Sequence, residues 1–356
     1  MVESLYRQVS GSAARRPGWG VARVASYALA VLVLACSAGL IAAAVWLVLR
    51  APNVATIIVA IVAVLLAIEL RPRLGSLRKR DHVRYQGDAP ALFGLLDRVA
   101  AELGARPVYA VVPVAAWNAS YTSVGLRRRR VLTLGVPLWE ALPIDQKLAL
   151  LGHELAHGVN GDARHGMVVG TSLSTLARLY YVLRPGRADY TLARLAQALL
   201  SSVVAAVFTL QHVISLRASQ RAEYVADALA ARLASPASTA DMLDTLVTGR
   251  DTHVFTVIRQ KFTDETAGFW DEQRAALSSL PETEKDRRRR AEARQRLRVT
   301  ESHPPAHLRI AVLRSRPPSK PVLCLTAAEE AQIRTELSAD YARIARQIHE
   351  SAQLSR

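Results

Sequence analysis

Two long apolar runs open the chain, and a mixed pattern of apolar and polar positions follows them. No charged residue occurs from Val24 to Leu49, which is long enough for a helix to cross a bilayer. After a turn-like cluster at residues 50–53, a second apolar run extends from Val54 to Ile68. The pattern predicts a transmembrane hairpin whose second helix is short for a span unless flanking residues extend it.

Basic residues lie outside this hairpin, from Arg7 to Arg16 before it and from Arg71 to Arg84 after it, whereas its turn holds only Arg50. The positive-inside rule therefore predicts that the N-terminus and everything after residue 70 face the cytoplasm. A cleaved signal peptide is the weaker interpretation, because the first run is too long and a second run follows at once. A lipoprotein-like box ending at Cys36 would place the following domain outside, which the arginine excess disfavours.

From Pro90 the pattern becomes that of a globular protein. Apolar spacing predicts a helix over Ala91–Leu103, and short strands follow at Val108–Val114, Ala119–Val124 and Val131–Leu134. These strands predict a small antiparallel sheet. Pro143 and Asp145 then open a further helix.

Two more apolar segments, Met167–Leu183 and Leu195–Leu216, interrupt the globular pattern. The loop between them carries arginines, which disagrees with the orientation rule if both segments cross the membrane, so crossing stays open. Near the C-terminus, Thr326 and Glu329 form a capping box that predicts an amphipathic tail helix.

The chain has 356 residues, a formal net charge of +16 and 51% hydrophobic residues. Such a charge suits nucleic acid or an anionic membrane face. The runs Arg127–Arg130 and Arg287–Arg290 lack interleaved aromatic residues, so no nucleic-acid partner is expected. The two cysteines, Cys36 and Cys324, occur far apart, which excludes a disulfide framework and a thiolate zinc site.

The segment LALLGHELAHGVNGD, residues 148–162, carries the candidate chemistry. His153 and His157 are spaced i, i+4 and share one face of the predicted helix, where two imidazoles can bind Zn²⁺. Glu154 between them is placed to act on a zinc-activated water.

The third zinc ligand has to come from elsewhere in the chain. The metzincin extension requires Gly at position 160 and His at 163, where this chain has Asn160 and Ala163. A carboxylate from a later helix completes a His₂Glu site, and Glu223 is the best candidate. Asp227 follows one turn later on the same face and is predicted to accept the free N–H of a ligand histidine, which holds the ring in place.

With these motifs the chain resembles the integral-membrane zinc endopeptidases of the HtpX and CAAX prenyl protease superfamily. Three further features carry the resemblance: Asn118-Ala119 before a strand, residues 160–162 (Asn-Gly-Asp) after the second histidine, and residues 302–305 (Ser-His-Pro-Pro) followed by Arg309-Ile310. Together the motifs span about residues 20–315 in the order seen in that superfamily.

The resemblance implies a mainly α fold with a small antiparallel β-sheet, in which a zincin-like catalytic domain is joined to transmembrane helices. It implies one Zn²⁺ per chain and a polypeptide substrate bound along an edge strand. The implied roles are zinc binding by His153, His157 and Glu223; general-base catalysis by Glu154; oxyanion stabilisation by His303 and Arg309; and substrate binding by Asn118 and Ala119. His307 is interpreted as structural.

The implied enzyme is a multi-pass membrane zinc metalloendopeptidase with a cytoplasmic catalytic domain, acting on membrane or misfolded proteins. The predicted segments are a cytoplasmic N-terminus (1–20), a transmembrane hairpin (21–72), the first part of the catalytic domain (73–165), an apolar helical pair (166–217), the second part (218–316) and the tail helix (317–356). The alternative is a non-catalytic membrane scaffold with a structural zinc, for which His165 is the nearest spare ligand. The oligomeric state stays open.

Overall fold

The computed structural model describes residues 21–70, 77, 82–125, 127–159, 162–184, 191–250, 268–296 and 304–354. Its described residues form two compact units that each combine separate stretches of sequence. The core unit contains the described residues within Gly75–Ala163 and Gln220–Arg356. The apolar unit contains those within Gly18–Leu74 and Arg164–Ser219.

The apolar unit begins with two packed helices, α1 (Val21–Arg50) and α2 (Val54–Leu70). Both helices have buried alanines, including Ala30, Ala44 and Ala67, and small residues of this kind let helix backbones approach closely in an apolar solvent. The large side chains point outward: Leu32 is 62% exposed and Leu65 is 58% exposed. An outer surface of this composition is suited to lipid rather than to water.

The same unit contains α6 (Asp162–Leu183) and the first part of α7 (Thr191–Ala234). A buried hydrogen bond from the Ser172 hydroxyl to the Gln211 amide oxygen, 2.9 Å long, joins the two helices. Among the described residues, Val21–Arg50 and Arg194–Ala234 are long and apolar enough to cross a membrane. Length and composition thus indicate membrane association, and the topology is taken up below as a proposal.

The sheet of the core unit has three strands, β1 (Ala110–Val114), β2 (Ala119–Val124) and β3 (Arg129–Gly135), in the order β1-β3-β2. The prediction of a purely antiparallel sheet is wrong, because β1 pairs with β3 in parallel while β2 pairs with β3 in antiparallel. The chain turns back after β2 at Gly125, which has a left-handed φ of 67°, and β3 then enters between the first two strands. Strand propensity does not encode that choice of neighbour.

The other elements of this part of the core unit are α3 (Pro90–Leu103), α4 (Val136–Ala141), α5 (Ile144–Val159), the end of α7, and α8 (Pro236–Thr248). Helix α5 packs against β2, and α4 contacts β3. The predicted apolar face of α3 is buried, as are Leu132 and Leu134 on β3 and Leu148 and Leu151 on α5. Burial of these side chains supplies the main driving force for the unit. The mainly α fold with a small sheet is therefore confirmed.

Beyond α8 the described chain forms α9 (Phe269–Ser278), α10 (Glu282–Arg296), α11 (Ala306–Arg314), α12 (Ala327–Glu336) and α13 (Ser338–Leu354). The predicted capping box between Thr326 and Glu329 is present at the start of α12. The single tail helix predicted from the sequence is two helices, because the chain breaks at the fully buried Leu337. Just before the break, Glu336 accepts hydrogen bonds from the first N–H groups of α3.

Candidate metal centre and cleft

Helix α5 places both histidines and the intervening glutamate of the HExxH motif at one point of the core unit. His153 and Glu154 are buried, and His157 retains 20% of its side-chain exposure. The two Nε2 atoms lie 3.3 Å apart, because residues four apart stack on one face of a helix. Apolar side chains on the remaining faces, Leu151 and Leu155, anchor the helix in the core.

Helix α7 brings Glu223 against the two imidazoles. Glu223 Oε2 lies 3.5 Å from His153 Nε2, and Glu223 Oε1 lies 3.6 Å from His157 Nε2. One turn later, Asp227 Oδ1 lies 3.1 Å from His153 Nδ1. The two carboxylates are far from the histidines in sequence, and the packing of α7 on α5 brings them together.

The three facing side chains have the donor set and the spacing of a zinc site. Zinc holds imidazole nitrogens and carboxylate oxygens at about 2.0–2.1 Å, so two ligands at the tetrahedral angle lie about 3.3 Å apart. The distances of 3.3, 3.5 and 3.6 Å among His153, His157 and Glu223 are close to that value. Asp227 meets the other ring nitrogen of His153, as outer partners of metal-binding histidines do. The residues therefore fit the metal.

Arg309 on α11 is the partner of both carboxylates from α7. Its Nε and Nη2 donate to Asp227 Oδ2 and Oδ1 at 2.7 and 2.6 Å, and its Nη1 lies 3.1 Å from Glu223 Oε2. The side chain is 5% exposed. The guanidinium is therefore committed to the carboxylates that surround His153, while its proposed contact with an oxyanion stays a prediction.

The electrostatics of the cluster favour a cation between the imidazoles. Burial by itself opposes the charged form of His153, yet its hydrogen bonds to Asp227 and Glu223 and their negative charges raise its pKa to about 10. Burial likewise opposes the charge of Arg309, and the charges of Asp227 and Glu223 raise its pKa. The negative field that retains a proton on His153 also attracts a metal ion, whose binding displaces that proton.

The cluster opens into a cleft of ≈ 630 Å³. His153, Glu154 and His157 line it, and so do Asn118 and Ala119 at the start of β2. Among the described strands, β2 lies at the edge of the sheet, because β3 pairs with it on one side. The Gly135 N–H donates to the Asn118 carbonyl, so the alternation of antiparallel pairing turns the N–H and C=O of Ala119 away from β3.

The described chain does not place three further histidines at the site. His303, and the side chain of the spare ligand His165, lie outside the described residues. His307 is exposed on α11 and is not among the residues that line the cleft. The arrangement therefore rests on His153, Glu154, His157, Glu223 and Asp227.

The sequence interpretation missed Gly152, which sets how closely the two metal-binding helices approach. A Cβ atom at this position would lie 2.9 Å from Leu233 Cδ1 and 3.2 Å from Ala230 Cα, both on α7. A glycine inside a helix costs about 1 kcal/mol relative to alanine, so its occurrence beside HELAH was the available signal for a packing role.

We expect Gly152→Val to lower the free energy of unfolding by about 1–3 kcal/mol, because its extra carbons overpack the contact between α5 and α7. Urea unfolding of the solubilised chain measures the effect. Gly94→Ala is the matched control: no atom lies within 4 Å of its Cβ position in α3. That change should raise the stability by about 0.5–1 kcal/mol, and equal losses in both variants would contradict the packing argument.

Comparison with known proteins agrees with this geometry. The sequence model of Peptidase family M48 matches residues 95–317, more than half of the 356-residue chain. The match includes the sheet, the HExxH helix, the end of α7 and Arg309. Searches among curated proteins and among solved structures return no match. The chain therefore belongs to peptidase family M48, the zinc metalloproteases of the HtpX and CAAX type.

Proposed function

We propose that this protein is a zinc-dependent endopeptidase that holds one zinc ion with His153, His157 and Glu223. The observation that carries the proposal is the triangle of ligand atoms, 3.3–3.6 Å on a side, at the wall of the cleft. A cleft that also contains an edge strand supports a catalytic rather than a structural metal, because a catalytic site leaves a position for substrate.

Glu154 is proposed as the general base. When bound, zinc supplies Lewis acidity, which polarises a carbonyl oxygen and makes water nucleophilic near neutral pH. Glu154 lies in the cleft wall between the two histidines, where its carboxylate can accept the proton of the attacking water. The same carboxylate, once protonated, can donate to the departing amine.

Asp227 and Arg309 are proposed to position His153, and Arg309, which also lines the cleft, keeps its predicted contact with the oxyanion. Asp227 Oδ1 lies 3.1 Å from His153 Nδ1, so the carboxylate is placed to receive the Nδ1–H and to leave the Nε2 lone pair on the side of Glu223 and His157. Arg309 in turn holds both oxygens of Asp227 in a bidentate pair, a geometry that fixes the carboxylate plane.

The polypeptide substrate is proposed to bind β2 as an added strand. The outward N–H and C=O of Ala119 can pair with an extended peptide, and such main-chain pairing requires no particular sequence. Asn118, directly before β2, lines the cleft beside the predicted path of the peptide.

The exposed apolar helices support membrane anchoring, and the arginine distribution supports a core unit facing the cytoplasm. Membrane or misfolded proteins are the substrates that this setting and the resemblance favour. A C-terminal tag should be digested by added protease in inside-out vesicles and protected in right-side-out vesicles. The reverse pattern would contradict the orientation.

Metal removal tests the proposed function. The purified full chain should contain about one zinc per molecule by elemental analysis, since the site offers one set of ligands. A chelator should abolish hydrolysis of an unfolded protein substrate, and added zinc should restore it. Stoichiometric zinc without hydrolysis of any protein or peptide would instead favour the scaffold.

A further inference from the structure

The cleft has a basic wall in addition to the edge strand. This wall consists of Arg287 and Arg288 on α10 and of Arg250, two residues after the end of α8. On the β2 side the cleft is lined by residues 117–121, which carry no charge. A peptide that pairs with β2 in this cleft would therefore meet both a neutral strand and guanidinium groups.

The arginines of this wall exceed its carboxylates. Arg287 and Arg288 share one partner, Glu284, at 2.6 and 2.8 Å. Arg250 is exposed, and no carboxylate among the described residues pairs with its guanidinium. Glu292 is the carboxylate that this part of α10 contributes to the cleft, and it accepts a hydrogen bond from the Ala306 N–H. Among the described residues that line the cleft, arginines therefore outnumber carboxylates.

Two of the arginines also have defined positions, which distinguishes this wall from an ordinary solvated charge run. Arg288 is 11% exposed and donates to the carbonyls of Thr248 and Arg250, 2.5 and 2.9 Å away. It thereby fixes the backbone from which Arg250 projects. Arg287 retains 65% of its side-chain exposure while its guanidinium is held by Glu284.

We propose that Arg250 and Arg287 determine specificity by favouring peptide segments with an acidic side chain beside this wall. The inference rests on the proposed function: strand addition to β2 supplies binding without sequence preference, and the arginines supply the selection. Glu284 is shared by Arg287 and Arg288, so a carboxylate on the substrate would provide this wall with a second negative charge.

Binding to the full-length Glu154→Gln variant tests the inference without requiring cleavage. Fluorescent peptides that differ only by Glu, Gln or Lys at one scanned position are compared by anisotropy. At the best position we expect the Glu peptide to bind about threefold to tenfold more tightly than the Gln peptide. This is the gain in affinity expected from partly exposed ion pairs between its carboxylate and the two arginines. The preference should shrink at high salt.

Substitutions in the same background assign the preference to the wall. Arg250→Gln with Arg287→Gln should bring the Glu-to-Gln ratio close to one, and Arg250→Glu should make the Lys peptide the tighter ligand. Arg290→Gln is the matched control, because Arg290 is exposed on α10 and does not line the cleft. Loss of the preference in the control as well would overturn the assignment.

The two proposals fail separately. Equal binding of all three peptides at every position overturns the acidic preference and leaves the peptidase proposal intact. An acidic preference in binding, together with no hydrolysis by the zinc-loaded parent protein, supports the basic wall and contradicts the proposed catalysis. Selective hydrolysis of the Glu peptides by the parent protein supports both.

Discussion

Glu154→Gln should lower kcat for peptide hydrolysis by about a thousandfold, the usual contribution of a positioned general base. The amide keeps the size of the side chain but cannot accept the proton of the attacking water. Because the zinc ligands are untouched, zinc content should stay at the parent level and the fold should be unchanged. Hydrolysis of a quenched fluorescent peptide, with zinc measured on the same sample, gives both results.

The matched control for this change is Asp145→Asn, which makes the same carboxylate-to-amide replacement in the first turn of α5. Asp145 is exposed and does not line the cleft, so hydrolysis should remain near the parent rate. Parent-like hydrolysis by the zinc-loaded Glu154→Gln variant would rule out Glu154 as the base. Loss of zinc from that variant would show that the residue also supports the metal.

Arg309→Met should lower the free energy of unfolding by about 3–5 kcal/mol, because it leaves the buried carboxylates of Asp227 and Glu223 without their guanidinium. Removing one member of a buried ion pair costs more than the pair contributed, since the remaining charge stays out of water. Urea unfolding in detergent, with and without chelator, measures the loss in both the zinc-free and the zinc-bound protein.

Arg314→Met on the same helix provides the comparison. Arg314 also pairs with an aspartate, Asp241, at 2.8 Å, but the two side chains are 58% and 47% exposed. An exposed pair of this kind contributes about 0.2–1 kcal/mol. A similar loss in both variants would refute the claim that burial makes the Arg309 contacts decisive. A loss in Arg309→Met that disappears with zinc bound would show that the metal replaces the arginine's charge.

The candidate site was predictable to a large extent because its chemistry is local. Helical periodicity alone places His153 and His157 one turn apart, and it relates Glu223 to Asp227 in the same way. Pairing the two motifs required the donor set that zinc prefers. The structure then brought the ligand atoms to 3.3–3.6 Å, a spacing that no linear pattern contains.

The contacts that the arginines make could not be predicted from the sequence. The resemblance implies an oxyanion contact for Arg309, which stays a prediction, but no sequence pattern indicates that its guanidinium also contacts Asp227 and Glu223. The run Arg287–Arg290, for which the sequence predicts no nucleic-acid partner, lies on α10, and Arg287 and Arg288 line the cleft. Long basic side chains reach several partners from one backbone position, so the partner chosen depends on what packs nearby.

The sequence by itself determined the apolar helices, the helical placement of the HExxH and ExxxD residues, and the capping box at Thr326. Each of these depends on residues within a few turns of one another. Only the tertiary structure decided that β3 lies between β1 and β2, that Gly152 lets α7 approach α5, and that Arg309 holds Asp227. These depend on which distant surfaces meet, and local propensity carries no information about that choice.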